Sequence, residues 1–118
     1  MVLCVTAIPV SCLLPRDVHY CLPYPIHQYF FNSTSMSCEM FHWGGCSGLG
    51  RAQNRFPSME ACLAGCACAL EVDPGPCYAS IPMWYHHDGV CRKFVYGGCL
   101  GNANRFKTEK MCKLICKA

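Results

Sequence analysis

Cys62-Leu63-Ala64-Gly65-Cys66-Ala67-Cys68 is the joint at which one cysteine pattern ends and its copy begins. Reading back from Cys66, the first pattern is Cys12, Cys21, Cys38, Cys46, Cys62 and Cys66, with 8, 16, 7, 15 and 3 residues between successive members. Reading forward from Cys68, the second is Cys68, Cys77, Cys91, Cys99, Cys112 and Cys116, with 8, 13, 7, 12 and 3. The gaps of 8, 7 and 3 recur, and the other two absorb all the difference. Loops tolerate insertion, while short spans between disulfide anchors do not. The chain is therefore two copies of a six-cysteine module, residues 12–66 and 68–116, joined by Ala67 alone. Residues 1–11 form a short lead-in or the remnant of a signal peptide.

Each module has only about 50 to 55 residues, too few to offset chain entropy comfortably with a buried core, so covalent staples are expected. Thirteen cysteines in 118 residues place the chain among secreted disulfide scaffolds. No apolar run approaches the roughly 18 residues that a membrane span requires. The net charge is +3, with Lys and Arg gathered mainly between Arg105 and Lys117. Without an aromatic-basic motif beside it, that cluster reads as a solvated helix face and argues against a nucleic-acid partner. Cys4 falls outside both patterns and is either a free thiol or an intermolecular link; otherwise a monomer is expected.

Metal and catalytic readings fare poorly. Structural zinc sites favour paired C-x2-C clips, and neither module has one. His19, His27, His42, His86 and His87 do not recur at equivalent places in the two modules, as ligands required by the fold would. A cysteine nucleophile needs an unpaired thiolate beside a base, and an even cysteine count within each module leaves none. Nucleophile elbows, paired carboxylates and phosphate loops are all missing from the sequence. No enzyme, no resident metal and no cofactor are expected.

In the first module, Gln28-Tyr29-Phe30-Phe31-Asn32 favours a strand, Asn32-Ser33-Thr34-Ser35 a turn, and Cys38 to Trp43 the return strand. Ser58 is placed to cap a short helix through Cys62 to Cys66, with Glu60 in its first turn. The second module repeats this with Met83 to His86, a turn at Asp88-Gly89, Cys91 to Tyr96, and a helix capped by Thr108. Cys112 and Cys116 are four apart and so face one side of that helix. The fold class is small, disulfide-rich α+β, with a hairpin, a C-terminal helix and three bridges in each module.

Tyr96-Gly97-Gly98-Cys99, Gly101-Asn102-Ala103-Asn104-Arg105-Phe106 and Cys112-x3-Cys116 resemble the Kunitz, or pancreatic trypsin inhibitor, domain. Gly75-Pro76-Cys77-Tyr78-Ala79 is similar to that family's reactive-site loop. Trp43-Gly44-Gly45-Cys46, Asn54-Arg55-Phe56 and Cys62-x3-Cys66 carry the likeness in the first module, and Tyr29 to Glu39 resembles the bikunin type of tandem Kunitz inhibitor. Spacing alone leaves 15 pairings of six cysteines open. The resemblance implies first to sixth, second to fourth and third to fifth. Those are Cys12–Cys66, Cys21–Cys46 and Cys38–Cys62, then Cys68–Cys116, Cys77–Cys99 and Cys91–Cys112.

The resemblance also implies a mechanism: a rigid, convex loop enters a serine protease as a substrate that is bound well and cut poorly. A preset backbone loses little entropy on binding. In the second module the loop is Gly75, Pro76, Cys77, Tyr78, Ala79, Ser80 and Ile81, backed by Gly97, Gly98 and Cys99. Tyr78 is the pocket residue. An aromatic there favours chymotrypsin-like partners over trypsin-like ones, whose pocket takes a cation.

The first module departs from the pattern at this place. His19-Tyr20 replaces the usual Gly-Pro, and the pocket position Leu22 is followed by Pro23. Proline restricts its predecessor and has no N–H to donate. Relative to the family pattern, one extra residue falls within Leu22 to His27 and three more between Cys46 and Asn54. Leu22 and Pro23 are therefore weak candidates, and the second module is expected to carry the activity. Asn32-Ser33-Thr34 is an N-glycosylation sequon. The competing reading is a non-inhibitory Kunitz binding module, a channel blocker or an interaction domain. Against channel blocking, Arg16 stands alone near the N-terminus beside Asp17.

Overall fold

Aromatic and β-branched residues build two antiparallel hairpins, one per module, in the computed structural model, which describes residues 8–16, 20–46 and 53–118. Cys4, Asp17, His19 and most of the insertion after Cys46 lie outside the described residues. Strand β1 (Ile26–Asn32) pairs with β2 (Ser37–Trp43), and β3 (Ile81–His87) with β4 (Val90–Tyr96). Both strand pairs run longer than the sequence expectation, reaching back to Ile26 and Ile81. The longer second gap of the first module now has an address. Two extra residues sit in the turn between Asn32 and Ser37, and one lies between Cys21 and Ile26.

Helix α1 (Met59–Cys66) starts where the Ser58 hydroxyl accepts from the Ala61 N–H at 3.1 Å, with Glu60 in the first turn. Helix α2 (Glu109–Cys116) starts the same way on Thr108, which accepts from Met111 N–H at 3.1 Å. Each cap satisfies a donor that the first helical turn leaves unpaired. At the far end of α2, Lys117 takes a left-handed conformation (φ 56°) and its N–H returns to Lys113 O.

Six disulfides close the modules: Cys12–Cys66, Cys21–Cys46, Cys38–Cys62, Cys68–Cys116, Cys77–Cys99 and Cys91–Cys112. In each, one helical cysteine ties to the return strand and its neighbour four residues on ties to the module's first cysteine. Phe31 lies buried among Cys12, Cys38, Cys62 and Cys66. Phe30, on the other face of β1, packs edge-on against Phe41 at 5.5 Å, a diagonal cross-strand pair.

Hydrophobic contact alone does not fix the hairpin on the rest of each module; a buried asparagine does. Asn54 Nδ2 donates to Cys12 O, Leu14 O and Phe31 O, while its Oδ1 accepts from Phe31 N–H at 2.8 Å. Asn104 repeats this with Leu70 O, His86 O and His86 N–H. Inside the protein such a group is worth keeping only if fully paired, and both are. A strand-like bridge adds to each clamp, Tyr29 with Phe56 and Trp84 with Phe106.

Ala67 is no spacer. It is 0% exposed, caps α1 through an N–H to Leu63 O, and leads straight into a short 3-10 turn, Ala67–Ala69. Leu70 then packs into the core of the first module, and Ala103 packs against that core from the second. The Ala103 N–H donates to Met36 O at 2.9 Å, joining the first hairpin's turn to the second module. The two modules thus share one seam at the single-residue junction.

Candidate functional site

The loop after Pro74 is held by hydrogen bonds at both ends. Gly75 N–H donates to the Asp73 carboxylate at 2.9 Å, and Gly97 N–H donates to Pro74 O at 2.7 Å. Beyond the cysteine, Ala79 N–H donates to Gly97 O at 3.0 Å. Gly97 thus grips the loop on either side of Cys77, and Cys77–Cys99 ties its middle to the same segment. Between these anchors Tyr78 has nothing to rest on and is 99% exposed. An aromatic side chain held out in water on a backbone pinned at both ends would lose little backbone freedom if it were buried.

Two glycines in this site are dictated by close approach. A Cβ on Gly75 (φ 75°) would collide with the Cys99 carbonyl oxygen, and a Cβ on Gly97 would collide with that of Cys77. Such positions admit no side chain without moving backbone.

Gly98 (φ 100°) and Leu100 (φ 54°) turn the backing segment outward. It is braced from behind by a pair that the sequence reading did not assign to the site. Tyr96 Oη and Arg105 Nη1 both donate to Leu100 O, at 3.0 and 2.9 Å, and the Arg105 guanidinium lies 3.9 Å from the Tyr96 ring centroid. A signal was present: an aromatic before Gly-Gly-Cys and an Asn-Arg-Phe run occur in both modules. The first module builds the same stack, with Arg55 at 3.6 Å over Trp43 and Trp43 Nε1 donating to Cys46 O.

Leu22 and Pro23 are arranged differently from Tyr78 and Ala79. Both Cys21 N–H and Leu22 N–H donate to Gly44 O, at 2.7 and 2.8 Å. The N–H that holds the second loop, from Ala79, has no counterpart because proline occupies its place. The Leu22 side chain folds down onto Gly45 and is only 41% exposed. The pocket position is turned toward its own backbone.

Asn32 ends β1. Its Oδ1 accepts from Thr34 N–H at 2.9 Å, and its Nδ2 reaches both oxygens of Glu39 at 3.3 Å. Among the described residues no cluster of three or more His, Cys, Asp or Glu side chains is placed to hold a metal ion, and no helix is long and apolar enough to cross a membrane.

The family model for the Kunitz/Bovine pancreatic trypsin inhibitor domain matches residues 11–67 and again 67–117. The chain is 47% identical over 107 residues to the carboxypeptidase inhibitor SmCI of Sabellastarte magnifica, covering 89% of this chain and 62% of that protein. It is 45% identical over 112 residues to the inter-alpha-trypsin inhibitor of Capra hircus, covering 90% of this chain and 88% of that one. The solved complex of SmCI with human carboxypeptidase A4 superposes with a TM-score of 0.78 at 45% identity, covering 91% of this chain and 64% of that one. The chain belongs to the Kunitz/Bovine pancreatic trypsin inhibitor family, as a tandem of two domains, and its relatives are protease inhibitors.

Proposed function

We propose that this protein is a secreted inhibitor of serine endopeptidases and not an enzyme, acting through the Gly75–Ile81 loop of its second domain. Tyr78 fills the primary specificity pocket of a chymotrypsin-like protease, and Ala79 leaves room for the enzyme beside the bond that would be cut. The observation that carries this reading is the contrast at Tyr78: a fully exposed side chain on a backbone pinned through Cys77–Cys99 and the two Gly97 bonds. Substrate-like binding with slow release follows, because the pinned ends hold a cut loop in place for religation. The first domain serves as a partner scaffold, since Leu22 lies on Gly45 and Pro23 cannot donate to Gly44. Asn32 is its proposed glycan acceptor, at the end of β1 beside the hairpin turn.

A second reading rests on the 47% identity to a carboxypeptidase inhibitor. One titration separates them. The oxidised chain is assayed against chymotrypsin, trypsin and a carboxypeptidase A. Inhibition of chymotrypsin alone is the expected outcome; inhibition of the carboxypeptidase alone selects the second reading. Loss of all three activities in a correctly bridged protein leaves a Kunitz binding module and removes the inhibitor function.

A further inference from the structure

His27 on β1 and His42 on β2 stand directly opposite each other, both exposed, with ring centroids 4.8 Å apart and planes at 61°. The kind of pair follows from their neighbours. Tyr29 exchanges both its backbone bonds with Phe56, on the side away from β2, and Phe31 exchanges both of its own with the Asn54 amide. Backbone direction alternates with period two, so His27 also turns its N–H and C=O outward. The Gln28 side chain indeed donates to His27 O at 3.0 Å. His27–His42 is therefore a non-hydrogen-bonded cross-strand pair, the kind whose side chains stand closest. Two imidazoles leaving one face of a hairpin at this spacing can converge on one ion at about 2.0–2.1 Å each.

Nothing in the fold demands these rings. At the same register of the second hairpin stand Pro82 and Val95, which support an equivalent strand pair without any ligand. We propose that His27 and His42 form a two-histidine site for a borderline divalent transition metal ion of the Zn2+ class, to which neutral imidazole is suited. With no third protein ligand gathered among the described residues, the remaining coordination positions fall to water or to a donor group on a docked partner. Arg16 lines the same hollow as His42, but its guanidinium is drawn over the Phe30 ring at 5.2 Å. The pair is one register step from Ile26–Trp43, at the end of the hairpin that continues into Gly44–Gly45 and Leu22. A bound ion gives the first domain a way to engage a partner at the edge where its own loop is folded down.

The test is a Zn2+ titration of the full oxidised chain carrying Cys4→Ser, which removes the one thiol outside both cysteine patterns. Mildly alkaline buffer keeps imidazole neutral enough to ligate. Calorimetry and histidine ring resonances are followed together in the parent, His27→Gln, His42→Gln and His87→Gln. One ion per chain is expected, with the ring signals of His27 and His42 moving together. Either of the first two variants should weaken binding by at least about tenfold, and His87→Gln should leave it intact. Thermal melting without metal should match among all four, since exposed histidines are not part of the core. Zn2+ binding that survives His27→Gln, falls equally in His87→Gln, or is missing at millimolar ion overturns the proposal.

Discussion

The Ala79 N–H donates to the carbonyl of Gly97 at 3.0 Å, and the same Gly97 donates its own N–H to Pro74. One residue of the backing segment thus holds the loop on both sides of Cys77 and leaves Tyr78 in solvent. In the first domain the corresponding carbonyl, Gly44 O, receives Cys21 and Leu22 instead. One proline in place of an alanine accompanies the change from a presented side chain to one lying on Gly45.

Gly97→Ala should damage the loop without erasing the fold. Its methyl would collide with Cys77 O and lie 3.0 Å from Pro74 O, and overpacking of this kind costs about 1–3 kcal/mol. Inhibition should weaken by at least tenfold. Parallel inhibition assays and thermal melting check this; an unchanged inhibition constant contradicts the role given to Gly97.

Asn54→Ala and Asn104→Ala should be among the most damaging single substitutions outside the cysteines. Each removes a buried amide and strands one N–H and several carbonyls. An unsatisfied buried group costs about 1–3 kcal/mol, and each variant leaves more than one. Denaturant midpoints read by near-ultraviolet circular dichroism measure the loss.

Mild reduction should open the disulfides in a fixed order. Cys77 and Cys21 are exposed, whereas Cys12, Cys62, Cys66 and Cys112 are sealed from solvent. Access governs attack by a thiolate. In a Cys4→Ser chain, trapping with iodoacetamide should therefore label Cys21, Cys46, Cys77 and Cys99 first, with inhibition falling before the fold is lost.

Ala67→Asp should destabilise both domains together. The side chain is fully buried at the seam where Leu70 and Ala103 pack on the first domain's core, and an unpaired carboxylate there is strongly unfavourable. One shared, lowered melting transition is expected; loss confined to a single domain would show that the seam does not couple them.

The cysteine gaps made the two modules legible, and the caps at Ser58 and Thr108 and the hairpins could be read from local chemistry, whereas the loop around Tyr78 was singled out through the family resemblance. Caps and hairpins depend on residues near in sequence. The Asn54 and Asn104 clamps were less legible, because they join strands and loops up to 42 and 34 residues apart, respectively. The sequence marks the seam only as a one-residue junction, and packing shows that Ala67 and Leu70 belong to a buried core. The His27–His42 pairing likewise appears only once the strand register is known.

Tyr78 offers the most direct test. The inhibition constant for chymotrypsin is measured with the oxidised chain and with Tyr78→Ala, whose folding is verified by its six disulfides and melting curve. A central anchor contributes at least about 2 kcal/mol, so tight inhibition by the parent should weaken some thirtyfold or more in the variant. Equal inhibition by both proteins, or none by the folded parent, would contradict the assignment of Tyr78 as the residue that fills the protease pocket.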